Sequence, residues 1–337
     1  MTDSSLPDLR SKFDPEGQDS DVKTRVAWLY HMEGLTQDAI AAKLKISRLR
    51  VLKLLATCRQ DGTVQVRVTS KLVNCIALER MLENSYGISQ AIVIPSPENE
   101  DRLTPLLGAA VGAFLNETLR NGLRVGLGWG NTLRHSLTSI SRRGLQDLTI
   151  VSMLGALTRA AGVNPSEFAW RFADLFSADC YMIAAPVYAP DEATHAALLA
   201  HPGIDEVFTL ARRIDLALVS VGDLSPSSTI SRLNLIPPEE LEQLRRAGAV
   251  ADILCRFVDQ DGRIIDHPLN RRVIAVDPES LRDTPELVLA SGGWSKASAL
   301  LAAIRLLHPS VLITDEHAAQ GLLAMRPQAT SPSKKVF

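Results

Sequence analysis

Cysteine is scarce in this chain. Its 337 residues hold four, Cys58, Cys75, Cys180 and Cys255. They are widely scattered and never form a CxxC pair, which argues against a disulfide framework or zinc knuckle and for reduced, mostly buried thiols. No metal site is expected. Long apolar runs are also missing: nothing approaches the roughly 18 residues that a membrane helix needs. The opening stretch, MTDSSLPDLRSKFDPEGQDSD, is acidic and polar and lacks an apolar core of signal-peptide type. A soluble, cytoplasmic protein is expected. Neither charge dominates, since 36 Lys and Arg face 38 Asp and Glu for a formal net charge of −2. There is no GK[ST] of a P-loop and no clean GxGxxG fingerprint, and no cofactor is expected. No repeat of fixed period appears, and low complexity is confined to the termini.

The residues that remain are those of a soluble globular protein, 46% apolar and 22% charged, and long enough for two or three domains. The most informative stretch is GLTQDAIAAKLKISRLRVLKLLATCRQDG, from Gly34 to Gly62. Thr36 suits an N-cap, with Gln37 and Asp38 at a positively polarised helix start. Ile40, Ala41 and Leu44 form a helical stripe, Lys45 and Ile46 make a turn, and Ser47 is the next N-cap. Val51, Leu54 and Leu55 form a second stripe, from which Arg48, Arg50 and Lys53 point away. Two short helices about a tight turn, the second with a basic outer face, match a helix-turn-helix. Between Thr36 and Arg59 six bases face one acid, Asp38. That segregation suits a phosphate-lined groove, whereas the plain alternative is a helical hairpin with a solvated basic face.

In chain order, residues 1–20 read as a tail and Asp21–Glu33 as the first helix of a three-helix head spanning 21–70. Thr63–Val68 alternates as a half-buried strand does and suits one arm of a small wing. A helix over Leu72–Ser85 either joins the head to the rest or makes a dimer contact. From Ile88 short apolar runs alternate with helical patterns: Ala91–Ile94, Val125–Leu127, Leu148–Met153, Tyr181–Ala184, Ile214–Val221, Val273–Val276, Leu287–Ala290 and Val311–Thr314. The helices between them are Leu103–Leu119, Thr132–Ser139, Pro165–Phe176, Glu239–Ala247 and Ser295–Leu307. This predicts an α/β domain over 71–326, doubly wound around a mostly parallel sheet, with 327–337 as a second tail.

Ligands of such sheets bind beyond the carboxyl ends of the strands, so the βα loops are ranked by their chemistry. Arg124–Thr132 runs from a strand through Gly126, Gly128 and Gly130 into a helix start at Asn131 or Thr132, and small residues there let amides approach an anion. Leu289–Lys296 repeats the pattern, with Lys296 in a first helical turn, where a cation makes sense beside an anionic ligand. Val221-Gly222-Asp223 is a weaker third loop. Asp252, alone among apolar neighbours, is either a hydroxyl acceptor or an N-cap, and Asp259–Gly262 reads as a plain turn. Trp129 and Trp294 either stack on a ligand or pack.

These residues carry a resemblance over most of the chain. The sequence resembles the SorC/DeoR-type sugar-binding transcriptional regulators in GLTQDAIAAKLKISRLRVLKLL, VGLGWGNTL, IDLALVSVGDL, AVADILCRFVDQDG, LASGGWSKASALLAAI and VLITDEHAAQGLL. The resemblance implies a glucosamine-6-phosphate-isomerase-like effector domain that also carries oligomerisation, a sugar, polyol or phosphosugar effector, and a homodimer or homotetramer on operator DNA. Carried over by position, Gly128, Trp129, Gly130, Asn131 and Thr132 would line the effector's polar end. Asp252 would take hydroxyls and Lys296 an anionic group. Thr36, Gln37, Ser47, Arg48, Arg50 and Lys53 would face DNA. The chain departs from the family pattern at Leu49, near Leu52 and at Asn131, where relatives often have Pro, Ser or Thr, and Ser or Thr. No catalytic residue is expected. The alternatives are a sugar-phosphate isomerase-like enzyme fused to a DNA-binding head, for which His135, His195, His201, His267 and His317 are too scattered to form a motif, and a purely architectural DNA-binding protein.

Overall fold

The computed structural model describes residues 15–60, 63–64, 71–158 and 164–325, and the chain divides into two compact units, Met1–Thr69 and Ser70–Phe337. The first holds α1 (Pro15–His31), α2 (Gln37–Leu44) and α3 (Arg48–Gln60). Helix α1 begins inside the stretch read as a tail. Proline fits a first helical position, where its missing N–H is not needed. Val26, Leu29, Ile40, Val51 and Leu55 meet in one small core drawn from all three helices. The expected wing strand lies largely outside the described residues, as do residues 1–14 and 326–337 of the two tails.

The second unit runs α4 (Lys71–Tyr86), β1 (Gln90–Ile94), α5 (Leu103–Thr118), β2 (Arg124–Leu127), α6 (Asn131–Ser136), β3 (Thr149–Ser152), α7 (Pro165–Asp174), β4 (Asp179–Tyr181), α8 (Glu192–Leu199), α9 (Pro202–Ala211) and β5 (Leu216–Val219). It continues through β6 (Val221–Gly222), α10 (Thr229–Arg232), α11 (Pro238–Arg246), β7 (Ala251–Ile253), β8 (Arg256–Val258), α12 (Pro268–Arg271), β9 (Glu286–Ala290), α13 (Ala297–Leu307), β10 (Val311–Asp315) and α14 (Glu316–Ala324). Seven strands form one parallel sheet in the order β1-β10-β9-β5-β2-β3-β4. Strands β6, β7 and β8 form a separate antiparallel sheet.

The continuous apolar runs of the sequence are explained by the period of two. Leu216, Leu218, Val288, Ala290, Val311 and Ile313 enter one core, with Leu133 of α6 and Phe168, Phe172 and Phe176 of the α7 region. Ala217, Val219, Leu287, Leu289 and Leu312 enter the other, with side chains of α4, α9, α13 and α14. Strands such as β5, β9 and β10 thus feed both faces, as a parallel sheet covered on two sides requires.

Three strand expectations change. Ile214–Val221 is interrupted at Ser220, so that its last residue joins the small sheet. Val273–Val276 contributes only isolated bridges, Tyr188 with Val273 and Leu154 with Ala275. The fourth strand is centred earlier than Tyr181–Ala184, on Asp179–Tyr181. Val273–Val276 is buried throughout and Ile214–Val221 largely so, whereas Met182 and Ala184 of the fourth run are exposed. An apolar run alone does not distinguish a ladder from a packed loop.

Phe172 is fully buried between Phe168 and Phe176, its ring centroid 6.0 and 5.4 Å from theirs. Phe172→Ala is expected to lower stability by about 3–5 kcal/mol, read as a fall in the urea midpoint of the full chain. A loss below about 1 kcal/mol would show that the core closes over the missing ring.

Candidate functional site

The strand order reverses between β2 and β5: β2, β3 and β4 step toward one edge, while β5, β9 and β10 step toward the other. Loops leaving the two central strands must part there, which opens a crevice at their carboxyl ends. A cavity of about 320 Å³ occupies it, walled by the loops after β1, β2, β5 and β9 and by Asp252 of β7. That volume is at the small end of the range for small-molecule sites, about 300–1,000 Å³. Trp129, Gly130, Asn131, Thr132, Asp252 and Lys296 all line it.

Gly128 does not. Its N–H donates to the Leu218 carbonyl at 2.9 Å, and a Cβ there would press on that oxygen and on Leu254 at 3.2 Å. It is a close-packing glycine under the wall. Trp129 is buried in the core beneath the loop, whereas Trp294 is 61% exposed beside Gly321 of α14. Helix α6 is six residues long and its N-cap, Gly130, offers no side-chain cap, so any pull on an anion comes more from Lys296 than from so short a helix.

The paired glycines before Lys296 answer to one carboxylate. Asp315, at the end of β10, is fully buried. Its Oδ1 accepts the Gly293 N–H at 2.7 Å and its Oδ2 accepts the Ser96 hydroxyl at 2.5 Å. A Cβ at Gly292 would lie 2.5 Å from Oδ1, and Gly293 has φ +99°. One position needs close approach and the next a left-handed backbone, so glycine is required twice. The side chain of Lys296, half-buried at the end of the turn Trp294–Lys296, makes no hydrogen bond or ion pair among the described residues.

Asp252 sits opposite Gly222 across the β6–β7 ladder, where a Cβ would lie 1.9 Å from its Oδ1. Gly222 is therefore what admits the carboxylate. Lying mid-strand in β7, Asp252 is not an N-cap. Burial pushes its carboxyl up to about 7; the Lys296 charge opposes the shift and Asp223 adds to it.

In the first unit Thr36 Oγ1 accepts the Ala39 N–H at 3.3 Å and Ser47 Oγ accepts the Arg50 N–H at 3.2 Å. Both hydroxyls therefore cap helices. Lys45 makes the turn in the left-handed region, φ 55°. Arg48, Arg50 and Lys53 are exposed on α3, with Arg48 Nε 3.5 Å from Asp38 Oδ1, and Gln37 is half-buried at the start of α2.

Residues 70–324 match the family model Sugar-bind, described as "Putative sugar-binding domain". The chain is 30% identical over 307 residues to the erythritol catabolism regulatory protein EryD of Brucella abortus, covering 90% of this chain and 97% of that one. It is also 30% identical to the transcriptional regulator LsrR of Klebsiella pneumoniae, over 91% and 94% of the two chains. The full-length sorbitol operon regulator SorC of Klebsiella pneumoniae superposes with a TM-score of 0.70 over 91% of this chain and 99% of that one, at 20% identity, a likeness of fold. The chain belongs to the SorC/DeoR-type family of sugar-binding transcriptional regulators.

The regulator's cavity also holds groups that sequence reasoning passed over. Arg232, at the end of α10, faces it, with Ser220, Ser227, Ser228 and Thr229. Ser228 caps α10, accepting the Ser231 N–H at 3.3 Å. The cluster Ser225–Ser231 was a signal in plain view, but hydroxyl-rich turns are common. Asp315 signalled itself as an acid closing an apolar strand. None of the five histidines singled out lines the cavity. His201 and His267 cap α9 and α12, and His195 Nε2 lies 3.2 Å from the Val273 carbonyl. His135 is half-buried and its pKa is lowered, first by desolvation and then by Arg134. His317 follows Asp315 at the start of α14.

A ¹³C-detected titration of the regulator is expected to give Asp252 a midpoint near 7, and Lys296→Gln should raise it, because that cation favours the charged form. A folded value above the ordinary carboxylate value, about 3.9, means that Asp252 contributes stability fully present below about pH 4 and lost as pH rises through 7. Asp252→Asn should remove that part of the decline in the urea midpoint; an unchanged slope would place the buried proton elsewhere.

Proposed function

We propose that the regulator senses a small hydroxyl-rich effector, a sugar, polyol or phosphosugar of carbohydrate or polyol catabolism, and that the effector controls operator binding by α3. One observation carries the reading. At the point where the strand order reverses, one small cavity collects Gly130–Thr132 and Lys296 from two βα loops and Asp252 from β7, among the hydroxyls of Ser220, Ser227, Ser228 and Thr229. Hydroxyl and carboxylate acceptors suit a polyol chain, and Lys296 and Arg232 suit one anionic end. With Glu100, Asp101 and Asp223 also on the lining, a multiply anionic ligand fits poorly. The name of the Brucella relative, which refers to erythritol catabolism, agrees with a short polyol.

The site reads as a sensor rather than a catalytic centre. An isomerase needs an acid and a base poised together over the sugar. Here the five histidines lie off the cavity, His201 and His267 capping helices and His135, His195 and His317 within α6, α8 and α14. The head reads as the DNA-binding element, with Arg48, Arg50 and Lys53 on a face whose nearby acid is Asp38. We place the protein in the cytoplasm and read it as a homodimer or homotetramer, as suits a regulator on a repeated operator.

Calorimetry with polyols, sugars and their phosphates tests the input. Lys296→Ala should weaken a phosphorylated effector about 10- to 100-fold, as loss of a charge-assisted hydrogen bond does, and a neutral polyol much less. A hydroxyl donated to Asp252 favours its ionised form, so affinity for a neutral polyol should rise from pH 6 to 8. A phosphate beside the same carboxylate should make affinity fall over that window. Asp252→Asn should flatten either slope, and full-strength binding by both variants would put the effector elsewhere. Turnover of the bound compound would favour the enzyme reading.

For the output, Arg50→Ala should weaken or abolish retention of the selected operator in a gel-shift titration. Unchanged affinity and specificity would sink the assignment of α3.

A further inference from the structure

The outer face of α3 is not simply basic. At about 100° per residue, Val51, Leu55 and Cys58 point into the core of the head, where all three are buried. The opposite face is set by Leu49, Leu52, Lys53 and Ala56. Two large apolar side chains therefore stand in the open, Leu49 63% and Leu52 43% exposed. At i and i+3 they are neighbours, about 5–6 Å apart at Cβ. Arg48 and Arg50 fall on either side of this apolar centre, each about a quarter-turn from Leu49. Lys45 stands just before the helix and Lys53 one turn on. An apolar pair with cations on both flanks has the charge layout of a helix lying between two rows of phosphates.

Of the groups that base pairs present in the major groove, the thymine C5-methyl is the apolar one. We propose that Leu49 and Leu52 are specificity-determining residues of the regulator and read thymine methyl groups at adjacent or near-adjacent base pairs, while Arg48 and Arg50 hold the flanking phosphates. The proposal rests on the reading of α3 as the DNA-contacting helix, and it names the base that the helix prefers. The leucines discriminate, since an exposed methyl on the base is the partner they can desolvate. The arginines supply affinity and its dependence on salt.

The test uses the full chain. A duplex is selected from a random-sequence pool, and each thymine of the selected site is then replaced by deoxyuridine, which keeps the pairing edge and removes only the methyl. For wild type, uridine at one or two thymines per half-site should weaken binding about fourfold each, the ratio that burial of one methyl group corresponds to. In Leu49→Ala or Leu52→Ala the sensitivity at the matching position should vanish, with the salt slope of binding unchanged; in Lys53→Ala the uridine effect should persist and the salt slope should fall. Because the deoxyuridine change is made in the DNA, misfolding of a variant cannot mimic its effect on wild type. Equal binding of thymine and uridine sites by wild type, or undiminished sensitivity in both leucine variants, overturns the proposal and leaves the DNA reading intact. A chain that selects no duplex at all overturns both.

Discussion

A parallel sheet covered on both faces leaves no place for polar side chains along its strands. Here the central strands β5, β9 and β10 divide their apolar residues between two cores, so buried polar groups are pushed to the ends of strands. Ser152 ends β3, Ser291 follows β9, and Thr314 and Asp315 end β10, and all four are buried. The carboxyl edge is thus where buried donors and acceptors gather, and the reversal of strand order between β2 and β5 opens that rim into a cavity. The location of the chemistry follows from the burial of the sheet together with the strand order.

The small antiparallel sheet then brings in a group that the parallel sheet cannot supply. Asp252 reaches the cavity from β7, and the turn joining β7 to β8 consists of Leu254 and Cys255, both left-handed at φ 49° and 63°. Two-residue hairpin turns of this kind favour Asn and Gly, and other residues there cost about 1–3 kcal/mol each. Burial holds the turn in place: Leu254 and Cys255 are both buried, and the Tyr188 hydroxyl donates to the Cys255 carbonyl at 2.8 Å. The position of the Asp252 carboxylate is thus fixed by packing rather than by local preference.

Much of this was legible in the sequence, and unevenly so. The helix-turn-helix could be read because capping oxygens and core spacing are local: Thr36 and Ser47 act within three residues of themselves. The glycine loops were legible for the same reason, although what Gly292 and Gly293 avoid, the carboxylate of Asp315, is more than twenty residues away. Asp252 stood out by its apolar setting, but whether it capped a helix or lined a cavity depended on a strand pairing with Gly222 that no local pattern records. Arg232 and the serines of its turn stayed hidden because solvated turns have the same composition. Ile214–Val221 read as one strand because it is almost continuously apolar, although the backbone changes sheets at Ser220.

The Asp315 carboxylate has one further consequence. It caps α14, accepting the His317 N–H at 3.3 Å, while its other oxygen holds Gly293. Near the far end of α14, the Leu322 carbonyl accepts the Tyr86 hydroxyl of α4 at 2.6 Å. Asp315 is an anchor shared by the loop that carries Lys296 and the helix braced against α4. The Gly293–Asp315 bond therefore links the loop that carries Lys296 to the root of α14. Its strut at Tyr86 ends on the helix that directly follows the head in the chain.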